Sequence, residues 1–139
     1  MQVNKATISW SSKRQSCVAK STCEAEYMAC SYASAHLIWI KQVITELLQF
    51  PTLSTSFTPV KFQYTLITDS QSAMALIKDH RINARSKHIG IHYHFVREKY
   101  LESQFTIDYV PTSQNIADIC TKSLPRPLFT KMVHMVSLG

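Results

Sequence analysis

Hydrophobic periodicity predicts one long helix near the start of the chain. Apolar residues recur at intervals of three and four between residues 25 and 47, the spacing of one face of an α-helix. Ser21, followed three residues later by Glu24, forms a capping box that predicts the start, and Pro51 predicts the end. The apolar stripe comprises Ala25, Met28, Ala29, Tyr32, His36, Leu37, Ile40, Val43, Ile44 and Leu47. We interpret His36 as a structural member of this stripe.

Two later segments alternate in the manner of strands. Residues 60–68 predict a strand whose last residues enter a buried end. Residues 104–110 alternate with a period of two, so Thr106 and Asp108 are expected to face outward. The residues expected to face inward in the two strands are Phe62, Tyr64, Leu66, Ile67, Phe105, Ile107 and Tyr109.

The remaining segments complete an α/β order. Residues 6–10 and 17–19 predict two short strands, or one hairpin, around the polar residues 11–15. Further helices are predicted at 71–78, after an Asp69 or Ser70 cap, around 88–102, and after Ser113 or Asn115. Strands that alternate with helices favour an α/β fold with at least partly parallel pairing. The predicted divisions are a strand or hairpin at 1–20, the long helix at 21–50, a strand–helix–helix–strand–helix region at 60–124 and a tail at 125–139.

Composition indicates one ordered domain with a basic surface. The 139 residues are 45% hydrophobic and include two glycines, whereas disorder needs low hydrophobicity and high charge density. Fifteen basic and nine acidic residues give a formal net charge of +6, which favours polyanionic partners such as nucleic acid.

Cysteine spacing and hydropathy argue against a zinc-binding, secreted or membrane-spanning protein. The four cysteines show no C-x-x-C spacing, which argues against structural zinc and favours a reducing compartment. The polar first residues do not resemble a signal peptide, and no apolar run approaches the roughly 20 residues that span a bilayer. We therefore expect a soluble intracellular protein of the cytoplasm or nucleus without a membrane partner.

Three carboxylates are the candidate chemistry. Asp69 ends a predicted strand, Glu26 lies in the first turns of the long helix outside its apolar stripe, and Asp118 opens a late helix. Each has a structural alternative, since Asp69 could cap a helix and the other two could be solvated acids favoured by helix dipoles. Carboxylates that gather in one place repel unless a cation compensates them. On a basic chain, this combination suggests Mg²⁺ held against a phosphate backbone.

The stretch 78–99 is basic and contains four histidines. With its interleaved aromatic residues it could contact a nucleic-acid backbone, although a charged helix face with core-packed aromatics explains the same pattern. The histidines could assist proton transfer or product release, or could be surface or phosphate contacts. They are His80, His88, His92 and His94.

Several linked motifs resemble one known family. The blocks are Ile8-Ser9-Trp10-Ser11-Ser12-Lys13-Arg14-Gln15, Glu24-Ala25-Glu26-Tyr27, Thr68-Asp69-Ser70-Gln71-Ser72-Ala73, Ser86-Lys87-His88-Ile89, Tyr93-His94-Phe95-Val96-Arg97-Glu98, Tyr109-Val110-Pro111-Thr112, Ile116-Ala117-Asp118-Ile119 and Thr121-Lys122. In this order, from about Ala6 to Gly139, they closely resemble the ribonuclease H domain of copia-type LTR retrotransposon polyproteins. The resemblance implies a ribonuclease H-like mixed sheet flanked by helices, and Mg²⁺-dependent (or Mn²⁺-dependent) hydrolysis of RNA in RNA·DNA hybrids.

The resemblance also implies roles for individual residues. Glu26, Asp69 and Asp118 fall on three acids of the family's catalytic metal site, and Glu24 on a capping position. We expect nucleic-acid contacts from seven further residues. These are Lys13, Arg14, Ser70, Gln71, Arg85, Lys87 and His88.

Departures from the family pattern change what we expect of the chain. Cys23, Gly90 and His92 stand where the family usually has Thr, Asp and Arg. The family's first acid lies on a strand that would precede residue 6, so we expect a single truncated domain that lacks the first two strands and cleaves feebly or not at all. The strand at 60–68 would then have an open edge that residues 6–10 or another chain would fill, which makes self-association possible. The alternative is an inactive nucleic-acid-binding or protein-interaction module.

Overall fold

The computed structural model describes residues 1–3, 6–16, 18–49, 62–79 and 90–136. They form two compact units: unit 1 comprises Met1–Val18 with Val110–Gly139, and unit 2 comprises Ala19–Tyr109. The elements are strands β1 (Gln2–Val3), β2 (Ala6–Thr7), β3 (Thr65–Thr68) and β4 (Thr106–Tyr109), helices α1 (Thr22–Leu48), α2 (Gln71–Lys78), α3 (Gly90–Leu101) and α4 (Arg126–Val136), and 3₁₀ turns at Thr112–Gln114 and Ile116–Cys120. The predicted α/β class is confirmed. None of the helices in the described ranges has the length and apolar character needed to cross a membrane.

A parallel strand pair organises unit 2. Strands β3 and β4 pair in parallel, from Thr65 opposite Thr106 to Thr68 opposite Tyr109. Parallel strands need a crossover connection, and here the segment between them contains α2 and α3. The predicted parallel pairing is therefore confirmed. Both strands end at the same edge of the sheet, so Asp69, which follows β3 directly, lies at the edge where open α/β sheets usually carry their sites.

Helix α1 begins as its sequence predicts. The Ser21 hydroxyl accepts a hydrogen bond from the Glu24 backbone N–H at 3.1 Å. The buried Glu24 carboxylate accepts one from the Lys20 backbone N–H at 2.7 Å. Two backbone donors at the start of the helix are thereby satisfied by side chains, which is the function of a capping box. The helix ends at Leu48, ahead of Pro51.

The core-facing side of α1 differs from the predicted apolar stripe. Tyr27, Cys30 and Ser34 are buried, whereas Tyr32 is 43% exposed and His36 is exposed. His36, interpreted as a structural member of the stripe, is exposed, and its ring lies 5.5 Å from that of the exposed Trp39. The predicted stripe omitted Ser34 because serine is polar. In the structure, Ser34 Oγ donates to the Ser31 carbonyl at 2.9 Å, so the buried hydroxyl is satisfied within the helix.

The inward face of the sheet is mostly as predicted. The core of unit 2 joins α1, α2, α3 and both strands. Its buried members are Tyr27, Cys30, Leu66, Ala73, Ile77, Val96, Phe105 and Ile107. Two inward predictions are wrong, because Ile67 is 59% exposed and Tyr109 is 43% exposed. Ile67 is paired with Asp108 on the opposite face of the sheet from Leu66, and Tyr109 is the last residue of its strand.

Unit 1 contains a short hairpin and a helix that was predicted only as a tail. Gln2–Val3 and Ala6–Thr7 pair antiparallel, so the partner of residues 6–7 is residues 2–3 rather than 17–19 or the strand at 60–68. Helix α4 buries Met132 and Val136. Gln2 Nε2 and Thr7 Oγ1 donate to the carbonyls of Met135 and Val136 at 2.8 and 2.6 Å. Carbonyls at the end of a helix lack partners inside it, so these bonds fasten the hairpin to the end of α4.

Substitution of Ile107 and of Ile67 tests which face of the β3–β4 sheet is buried. We expect Ile107→Ala to lower the free energy of unfolding by about 2–5 kcal/mol, because it leaves a cavity in the core. The matched change Ile67→Ala, on the exposed face, should cost less than about 1 kcal/mol. Urea unfolding followed by circular dichroism measures both. Equal losses for the two variants would contradict the assignment of faces.

Candidate metal and nucleic-acid site

Ser70, and not Asp69, caps helix α2. The Ser70 hydroxyl accepts from the Ala73 backbone N–H at 3.2 Å, and the Ser70 backbone N–H donates to Thr68 Oγ1 at 3.2 Å. The capping role that was the structural alternative for Asp69 is therefore filled by its neighbour. Asp69 is half-buried at the end of β3, and within the described part of the chain it has no ion-pair or hydrogen-bond partner.

The Cys30 thiol connects Asp69 with Glu26. Cys30 lies one helical turn after Glu26 on α1 and is buried in the core. Burial raises the pKa of the Cys30 thiol to about 11; a hydrogen bond with Thr68 opposes this, while the charges of Glu26, Asp69 and Cys23 add to it. Both carboxylates thus act electrostatically on one buried thiol. The structure brings Glu26 and Asp69 to the same end of the core, where α1 meets the carboxyl end of β3.

Asp118 lies in unit 1, on the 3₁₀ turn Ile116–Cys120. The helix predicted at this point is a short 3₁₀ helix, and Asn115 Oδ1 caps it by accepting from the Ala117 backbone N–H at 3.3 Å. The Asp118 carboxylate is buried and pairs with Lys122 Nζ at 2.9 Å. A charge-assisted hydrogen bond compensates part of the cost of burying the carboxylate. Within either unit, the described residues include no group of three side chains that could hold a metal.

The predicted nucleic-acid contacts are distributed over both units. Lys13 and Arg14 are exposed in unit 1. Ser70 and Gln71 lie at the start of α2 in unit 2, next to Asp69. Arg85, Lys87 and His88 lie outside the described residues.

Sequence reasoning missed three residues of the site. Cys30 and Thr68 join the helix to the strand, and Lys122 pairs with Asp118. A signal existed in each case: Cys30 follows Glu26 by four residues, Lys122 follows Asp118 by four, and Thr68 precedes Asp69. Spacing of four places two residues on one helix face, but it does not show which side chain is buried.

Comparison with known proteins gives relatives of one kind. The chain is 37% identical to the retrovirus-related Pol polyprotein from transposon TNT 1-94 of Nicotiana tabacum over 94% of its own length and 9% of the relative. Over the same share of the chain it is 35% and 32% identical to the Pol polyproteins from transposons RE2 and RE1 of Arabidopsis thaliana, and it covers 8% of each. Its homologues are retrotransposon Pol polyproteins.

The similarity supports a retrotransposon Pol-derived region, as the sequence motifs indicate. The chain spans less than a tenth of the length of these three relatives. No family model matches the chain. No solved structure matches it either.

The reactivity of Cys30 tests the proximity of the two carboxylates. Because its pKa is raised to about 11, alkylation of Cys30 should keep rising with pH, about tenfold per unit, until the pH approaches that value. Asp69→Asn removes a negative charge that disfavours the thiolate, so alkylation at a fixed pH should accelerate. Peptide mass spectrometry separates Cys30 from the other cysteines.

The matched control is Asp79→Asn, which makes the same charge change at the other end of α2 and should leave the Cys30 rate unchanged. A plateau already near the ordinary thiol pKa of 9.0 would contradict the burial of Cys30. Equal rates for Asp69→Asn and the wild type would contradict the placement of Asp69.

Proposed function

We propose that this chain is a ribonuclease H-like region of a retrotransposon Pol polyprotein, and that it binds a divalent cation and an RNA·DNA hybrid. The observation that carries the proposal is the convergence of Glu26 and Asp69 on Cys30 at the carboxyl edge of a parallel strand pair. The similarity to Pol polyproteins supports the same family, and the motif resemblance supplies the activity.

The donor set suits Mg²⁺, with Mn²⁺ as an alternative. Carboxylate oxygens are the ligands that Mg²⁺ takes in proteins, and Glu26 and Asp69 provide them from a helix and from a strand end. The family resemblance implies Asp118 as a further ligand. When bound, the cation would activate a water molecule and stabilise the leaving oxygen of the scissile phosphate. The chain's own residues hold the carboxylates in place. Ser70 caps α2, so the Asp69 carboxylate is not used as a cap, and the Thr68–Cys30 hydrogen bond joins β3 to α1.

The basic surface is the proposed backbone contact. Phosphate contacts position a nucleic acid without reading its sequence, and the net charge of +6 suits that role. Lys13 and Arg14 are exposed cations, and Gln71 is exposed beside Asp69. Arg85, Lys87 and His88 complete the proposed set.

For the enzymatic candidate we propose metal and hybrid binding, with cleavage of the RNA strand in the presence of Mg²⁺ or Mn²⁺. A non-enzymatic nucleic-acid-binding module is the second candidate. The Asp118–Lys122 pair favours it, because the lysine already occupies the carboxylate that a cation would need. Self-association through the edge of the β3–β4 sheet belongs to this second candidate, and sedimentation velocity at increasing concentration tests it.

Substitution of one strand-end acid tests the enzymatic proposal. We expect Asp69→Asn to weaken Mn²⁺ binding, measured by electron paramagnetic resonance, at least about tenfold, because it removes a charged ligand. Any cleavage of a labelled RNA·DNA hybrid in Mg²⁺ or Mn²⁺ should disappear with it. Asp79→Asn is again the matched control and should retain both properties. Cation binding that survives Asp69→Asn unchanged would refute the proposed site.

Binding and cleavage of the hybrid, measured together, distinguish the enzyme from the binding module. Hybrid binding, measured by fluorescence anisotropy, should weaken with added salt, with a log–log slope set by the number of phosphates contacted. The double change Lys13→Ala and Arg14→Ala should reduce that slope by about 1–2. Salt-dependent binding without cleavage at any cation concentration would favour the binding module. A failure to bind hybrid at all would contradict both candidates.

A further inference from the structure

We propose that a second site, at the opposite end of the β3 strand from Asp69, binds one nucleotide of a single-stranded nucleic acid. The site is a cavity of about 340 Å³ in unit 2, between the last turns of α1 and the residues that precede β3. Its polar and aromatic walls are Lys41, Thr45, Gln49, Phe62 and Tyr64. The volume lies at the lower end of the roughly 300–1,000 Å³ range of small-molecule sites. The proposal shares with the proposed function its class of ligand but not its metal site.

The positive charge of Lys41 favours a negatively charged ligand. Lys41 is half-buried, and its Nζ donates to Gln104 Oε1 at 2.8 Å, an uncharged partner. No carboxylate of the described residues lies within ion-pair distance of it. The ammonium charge is therefore oriented by a neutral amide and left uncompensated, and a half-buried cation without a counter-charge favours an anionic ligand.

The Phe62 and Tyr64 rings favour a ligand with a planar group, such as a nucleotide base. Lys41 Nζ lies 5.4 Å from the centroid of the Tyr64 ring, and the Phe62 and Tyr64 rings lie 6.4 Å apart with 34° between their planes. Bases stack on such rings without regard to sequence, and cation–π contacts add to the stacking. The carboxyl end of α1 carries partial negative charge, so the side near Gln49 suits the N–H donors of a base, and the phosphate belongs at Lys41.

The distance between the two sites sets the length of nucleic acid that would join them. From Tyr64 to Asp69 the chain advances five residues, about 16 Å in an extended strand. From Glu26 to Lys41 it advances fifteen residues, about 22 Å along a helix. At about 3.4 Å for each nucleotide of a duplex strand, about five to seven nucleotides span this interval. The cavity would therefore contact a strand beyond the part held at Asp69.

The test uses the full chain and a labelled oligothymidylate in EDTA, so that the acid site plays no part. Anisotropy at several salt concentrations gives the affinity and its salt slope. We expect Lys41→Met to weaken binding about tenfold and to reduce the slope by about 0.7, the share of one phosphate on a single strand. Phe62→Leu should weaken binding and leave the slope unchanged, because it removes stacking but no charge.

Lys99→Met is the matched control. Lys99 is also a partly buried lysine of unit 2, but it is paired with Glu98 and Glu102 at 3.2 and 2.9 Å, so its removal should change neither quantity. Equal slopes for Lys41→Met and the wild type, or equal losses for Lys41→Met and Lys99→Met, would overturn the proposal.

Folding is controlled separately by urea unfolding. If Lys41→Met does not fold, Lys41→Arg should keep the slope, and an unchanged affinity in Phe62→Leu would itself overturn the proposal. Retention of oligothymidylate binding by Asp69→Asn distinguishes this site from the acid site. A chain that binds the oligonucleotide through Lys41 but fails to bind Mn²⁺ would support this inference and refute the proposed metal site.

Discussion

The structure of unit 2 depends on close packing between α1 and the parallel pair β3–β4. Tyr27 and Cys30 are the residues of α1 buried in the core with Leu66 and Ile107 of the strands, and Cys30 is small enough to let the helix approach the sheet. Cys30 then meets Thr68 at the last position of β3. A bulkier residue at position 30 would lift the helix from the sheet, since a close-packed core has no room for it. The positions of Glu26 and Asp69 follow from this contact, as each is adjacent to one of its members.

This packing has an electrostatic consequence. Burial is the main reason that the Cys30 thiol keeps its proton to a pKa of about 11, and the two nearby carboxylates add to it because they oppose further negative charge. The same field favours a cation outside the thiol, at the half-buried Asp69. In unit 1 the corresponding problem is solved internally, because Lys122 supplies the positive charge that the buried Asp118 requires. The chain therefore neutralises one of its proposed ligands itself and leaves Asp69 without a protein counter-charge among the described residues.

Much of the fold could be predicted from the sequence, and the errors have physical causes. Local chemistry predicted the start of α1, since a capping box acts over three residues, and alternation predicted Leu66 and Ile107 as core. Sequence periodicity placed α1 correctly, and Met28 and Ile40 of the predicted stripe are buried. The stripe omitted Ser34, which can be buried because its hydroxyl is satisfied inside the helix, and it included Tyr32 and His36, which are exposed. Ile67 was misplaced because the described core of unit 2 lies on the face of the sheet that carries Leu66 and Ile107. The 3₁₀ turn at Asp118 and the pairing of that acid with Lys122 depend on packing, which periodicity does not report.

Charge is divided along unit 2 in a way that the average composition conceals. At one end of β3 lie Asp69 and, across the Cys30 thiol, Glu26. At the other end lies Lys41, which contacts Gln104 and Tyr64 and has no carboxylate partner in the described part of the chain. A polyanion would be repelled at the first end unless a cation intervened, and attracted at the second with none present. Affinity for nucleic acid and dependence on a divalent cation can therefore reside in different parts of the same strand and helix.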